Sequence, residues 1–150
     1  MGYCTRTQIE DRRLPATTLI DLLDDERIGE ENDKIVERLS AILSDVDEEI
    51  NVYLSGYALP FDEVPTVLIG IAVDMATYGI HSRRDGEQPE NVRLRYKRAI
   101  VRLEEIRDSK KRGEDLLFPP APVANDDNAV FVNKSDSDRI FSDTRLNQML

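Results

Sequence analysis

Apolar positions recur at the spacing of helical faces along most of the first 113 residues. The clearest stripe follows a cap at Asn32 or Asp33: Ile35, Val36, Leu39, Ile42, Leu43, Val46, Ile50, Tyr53 and Leu54, closed by Ser55-Gly56. Tyr57-Ala58-Leu59-Pro60 then forms a joint, and Val64-Pro65 starts a helix to about His81, with proline suited to the first helical position. That helix is apolar nearly all round. Only Thr66, Gly70, Asp74 and Thr77 interrupt it, on one narrow stripe, which predicts a central, buried helix with Gly70 allowing a neighbour to come close. Pro89 opens the last helix, whose core positions are Val92, Tyr96, Ala99, Ile100, Leu103 and Ile106 and whose stop is Gly113. Two short helices come first. Thr5-Arg6-Thr7-Gln8 has the form of a capping box and starts a helix that ends before Pro15; the next covers about Ala16 to Asp24. The expected fold is all-α: a small bundle of about five helices over residues 1–113, followed by an extended C-terminal arm over 114–150.

The length of 150 residues fits one domain with one hydrophobic core. Apolar residues make up 40% and charged residues 33%, a globular composition that disfavours wholesale disorder. No stretch approaches the roughly 18 to 20 apolar residues of a membrane-spanning helix, and Met1-Gly2-Tyr3-Cys4-Thr5 lacks the plan of a signal peptide. No membrane partner and no leader are expected. Cys4 is the single cysteine, which removes any internal disulfide and makes a reducing compartment the default. The net charge is −10, and it is unevenly spread. Residues 30–80 carry 11 acidic and 2 basic groups, whereas residues 81–113 carry 6 acidic and 11 basic groups. An acidic middle and a basic last helix are what a protein needs if one face of each copy meets a different face of the next; solvated helix faces would read the same way.

Candidate chemistry is sparse. Cys4 as a nucleophile would need a base, and nothing in the sequence brings the only histidine, His81, to it. Asp24 to Gly29 resembles the start of a calcium loop, but Ile28 and Ile35 fall where oxygen ligands belong. Asp74 stands alone in an apolar helix, either as an acid-base group or as a structural partner for an arginine or a backbone donor. The structural role is the expected one, because its stripe offers only threonines and a glycine. No phosphate loop, Ser/His/Asp set or metal-ligand spacing is present, so no enzyme activity, cofactor or metal is expected.

Two regions invite partners instead. Leu94 and Val101 lie opposite the core stripe of the last helix, beside Arg98 and Glu105, either as scattered exposed hydrophobes or as part of an interface. In the arm, Phe118, Phe131 and Phe141 are spaced along a polar, proline-containing segment, with Arg139 nearby. Those rings either fold back on their own domain or dock on another subunit.

Together the segments resemble the Mu-like phage head-tail adaptor family. The residues that carry the likeness are Tyr3-Cys4-Thr5, Ile50, Tyr53-Leu54, Tyr57-Ala58-Leu59-Pro60, Val64-Pro65, Asp74, Tyr78, Arg95-Tyr96, Leu103, Gly113, Arg139 and Phe141-Ser142. The chain differs at Gly56 and Thr77, where the family pattern has a basic residue. The resemblance implies a structural virion protein. It would form a homo-oligomeric ring of twelve copies beneath the portal protein, join it to a downstream neck or tail protein, and pass DNA only as cargo. Its place would be the virion, with host cytoplasm as the site of assembly. Leu94, Arg98, Val101, Phe118, Phe131, Arg139 and Phe141 are the expected contact residues, and Asp74 the structural buried polar group. A different class remains open: a small helical DNA-binding regulator that uses the basic helix 91–112, against which stand the charge of −10 and the interleaved Glu104, Glu105 and Asp108.

Overall fold

The structure, a computed structural model, describes residues 2–84 and 87–118. Phe131, Arg139 and Phe141, and with them most of the expected arm, lie outside the described residues. Five helices follow in order: α1 (Arg6–Arg12), α2 (Ala16–Leu23), α3 (Asp33–Tyr53), α4 (Thr66–Ser82) and α5 (Glu90–Lys111). There is no strand among the described residues, and the fold is an all-α bundle.

Local chemistry explains where the helices begin. Thr5 Oγ1 accepts from the Gln8 amide while the Thr5 amide donates to Gln8 Oε1 at 2.9 Å, so the capping box is closed in both directions. Asn32 Oδ1 accepts from the Ile35 amide at 3.1 Å and starts α3. Pro65 and Pro89 sit one residue earlier than expected, at the cap rather than the first helical position. Their extended backbone leads the chain in, and their carbonyls accept the first helical bonds, from Leu68 and Ile69 and from Val92 and Arg93.

α4 is the axis of the bundle and packs against each of the other four helices. Leu68, Ile71, Ala72, Val73, Met75, Ala76, Thr77 and Ile80 are all buried on it. The Thr77 hydroxyl donates to the Val73 carbonyl at 2.7 Å, which satisfies the one buried polar side chain of the helix. Ile35, Leu39, Val46 and Ile50 from α3, and Val92, Ala99, Leu103 and Ile106 from α5, are the buried faces of their helices.

One expectation is overturned. A methyl group at Gly70 would meet nothing within 4 Å, so Gly70 does not admit a neighbouring helix. The close approach is at Gly79, where a Cβ would stand 3.0 Å from Ile42 Cγ2 of α3. Nine residues separate the two glycines, about two and a half turns, so they face opposite ways and only Gly79 looks toward α3.

Arginines tie off the end of α2. Arg38 of α3 donates to the Leu23 carbonyl at 2.7 Å, and Arg84 reaches the carbonyls of Asp21, Leu22 and Asp24. Their guanidinium groups satisfy carbonyls that the helix leaves open and meet the negative end of its dipole. Asp25 bridges Arg83 at 2.8 Å and Arg38 at 3.3 Å. The acidic loop is thus engaged with arginines. At the other end, packing continues beyond Gly113: Asp115 pairs with Lys110 at 2.7 Å and accepts from the amides of Leu117 and Phe118, and Leu117 is buried in the core.

The glycine geometry makes a prediction. Gly70→Ala, in a helix interior with open space above it, should stabilise the fold by about 0.5–1 kcal/mol. Gly79→Ala should gain less, because its new methyl displaces Ile42. Thermal melts of both variants check this, and equal gains would contradict the placement of α3.

Candidate functional site

Leu94 and Val101 are exposed on the outer face of α5, at 43% and 52%. With Lys97, Arg98, Arg102 and Glu105 they line a shallow depression of about 330 Å³. The reason is periodic. Each lies two residues from a buried position, Leu94 from Val92 and Val101 from both Ala99 and Leu103, and two residues turn a helix by about 200°. Phe118 is elsewhere. Its ring stands edge-on to Phe61 at 5.6 Å, and Phe61 in turn meets Tyr57 edge-on at 6.1 Å. Phe118 keeps about half its surface exposed, 51%, as the outer member of that aromatic row. The structure therefore does not bring Phe118 to the Leu94–Val101 depression as one site.

Asp74 is half-buried and accepts from Arg13 Nε at 2.6 Å. The arginine comes from the end of α1, so the pair fastens the first helix to the central one. The start of the chain is fastened too: the Tyr3 amide donates to Asp47 Oδ1 at 2.8 Å and the Tyr3 hydroxyl to Asn51 Oδ1 at 2.6 Å, both on α3. Burial pushes the Cys4 thiol up to about 12, with Asp47 adding to the effect. A thiol held protonated and buried is a packing group, not a nucleophile. Burial lowers the pKa of His81, which favours its neutral form. No group of three or more metal-ligating side chains is assembled among the described residues.

Sequence reasoning missed a groove of about 430 Å³ between α3, α4 and α5. Its wall includes the stacked rings of Tyr78 and Tyr96, 4.1 Å apart, together with Arg38, Asp45, Glu49 and Arg83. The Tyr96 hydroxyl donates to Glu49 at 3.4 Å, and burial and then Glu49 raise its pKa. Helical period alone carries no sign that two tyrosines eighteen positions apart would stack. The lock of Tyr57 on Asp115, at 3.4 Å across 58 residues, was equally hidden.

The anchored body runs from Tyr3 to the turn after α5, and the match to a known family has nearly the same limits. The profile of the family described as Bacteriophage Mu, Gp36 matches residues 3–113. The chain belongs to that family. No curated protein matches it. Membership in the Bacteriophage Mu Gp36 family makes this a phage protein and suggests a structural or assembly role, in the virion or the infected cell. Among the described residues no helix is long and apolar enough to cross a membrane.

Two measurements check the roles assigned to Asp74 and Cys4. Asp74→Asn should lower stability by about 1 kcal/mol, and a double-mutant cycle with Arg13→Ala should give a coupling of similar size. Independent effects of the two changes would dissolve the pair. Cys4 should resist a thiol reagent in the native protein and react when the chain is unfolded; rapid native reaction at neutral pH would contradict its burial.

Proposed function

We propose that the protein is a head-tail adaptor, a structural virion component that forms a ring beneath the portal and joins the DNA-filled head to the tail. The single observation that carries this reading is membership in the Bacteriophage Mu Gp36 family across residues 3–113. The ring contains twelve copies, its upper contact is the portal protein, and its lower contact is a neck or tail protein. It is a virion protein that meets its partners in the host cytoplasm during assembly.

Several physical features suit a repeating structural block. A small bundle closed around one central helix is a rigid block, suited to repeated side-by-side placement. Two surfaces exposed among the described residues could meet partners: the Leu94–Val101 depression with Arg98, and the aromatic row ending in Phe118. The segment beyond it brings Phe131, Arg139 and Phe141 as contacts to the portal or a neighbouring subunit. A net charge of −10 suits a conduit through which a duplex passes as cargo without sticking. Catalysis forms no part of this role, and no cofactor is required for it.

Native mass spectrometry of the full-length protein with the portal ring of the same phage tests the proposal. Twelve copies loading onto the portal are expected. A chain that stays apart from the portal at every ratio would overturn the adaptor reading.

A further inference from the structure

Charge is segregated between the two longest helices, and no ion pair among the described residues joins them. From Asn91 to Arg102, α5 carries Arg93, Arg95, Lys97, Arg98 and Arg102 and no acid. Of these only Arg102 is in an ion pair among the described residues, with Glu105 at 2.9 Å. α3 is the reverse. Its two cations are both engaged, Lys34 with Glu26 and Arg38 with Asp25, while Asp33, Glu37, Asp45 and Glu48 are exposed and make no ion pair among the described residues.

The lengths match as well as the charges. Leu94 and Val101 project from the basic half of α5, and the acidic face of α3 carries only small side chains between its carboxylates: Ser40, Ala41 and Ser44, all exposed. At 1.5 Å per residue, Glu37 to Glu48 spans about 16 Å and Arg93 to Arg102 about 14 Å. The basic stretch of α5, with Leu94 and Val101 exposed along it, and the carboxylate-flanked track of α3 are thus of nearly equal length. One copy cannot join its own two faces, because Glu37 and Glu48 lie opposite the buried stripe of α3 and Leu94 and Val101 lie opposite that of α5.

We propose that the Arg93–Arg102 half of α5 in one copy docks on the Glu37–Glu48 face of α3 in the next. The inference rests on the ring-forming adaptor reading and names the surfaces that meet. The contact is heterologous, since each copy offers a different face on each side, and a rotation that closes makes a ring rather than a filament. The unpaired charges set register and direction, while Leu94 and Val101 supply the apolar area.

Two full-length variants test it: Lys97→Glu with Arg98→Glu on α5, and Glu37→Lys with Glu48→Lys on α3. All four positions are exposed, so circular dichroism and melting should match the wild type. Sedimentation velocity over a range of subunit concentrations, with and without the portal ring, reads association. Each variant alone should associate about tenfold more weakly or worse. An equimolar mixture should recover, because the reversed α5 of one then meets the reversed α3 of the other. Folded variants that associate like the wild type, or a mixture that does not recover, would overturn the contact. So would a wild-type chain that stays monomeric under both conditions, or a basic face that binds duplex DNA while its reversal leaves association intact. Portal loading separates the two ideas: a wild type that loads despite insensitive variants refutes these surfaces alone, and charge-swap recovery without portal loading refutes the adaptor reading alone.

Discussion

α4 buries side chains around most of its circumference, and a helix of that kind cannot rest against one neighbour. Each fully buried leucine or isoleucine contributes about 1.5–3 kcal/mol only if water is kept away from it, so the helix must be covered from several sides. α1 and α2 are short because they are covers. α3 and α5 are long because they run beside α4 and leave it through turns that must be closed. The ties at the edge follow from the same demand: Arg13 on Asp74 fixes α1, Arg38 and Arg84 on the carbonyls of α2 fix the second cover, and Tyr3 on Asp47 and Asn51 fixes the start of the chain.

With their inner faces committed to α4, the two long helices have only their outer faces left for partners. Those faces carry opposite charge. Among the described residues no ion pair joins the cations of α5 to the acids of α3. Between copies the two faces are complementary. The family to which the chain belongs suggests structural or assembly work, and a rigid block with two unlike outer faces is a physical form fitted to it.

The helices and their starts were legible because caps, prolines and the 3.6-residue period are local signals. Thr5 with Gln8, Asn32, and the stripe from Ile35 to Leu54 needed no knowledge of the rest of the chain. Val36 was the exception within that stripe: it lies toward its margin and is half-exposed. Gly70 failed for a related reason. Periodicity says which residues share a face but not where a neighbour sits, and the neighbour stands at Gly79. The tyrosine stack, the Tyr57–Asp115 lock and the two arginines over α2 join residues far apart in sequence, and no local pattern announces them. Asp74 was legible as an isolated carboxylate in an apolar helix; its partner Arg13, 61 residues away, was not.

The bundle is proposed to be a repeating block in a ring at the head-tail junction, joined through α5 and α3. An electron cryo-microscopy map of the neck of the intact particle would show or exclude this contact. A ring of five-helix bodies beneath the portal is expected, with the basic half of α5 in each body lying along the acidic face of α3 in the next. A neck without this body, or a ring in which both faces look into solvent, would contradict it.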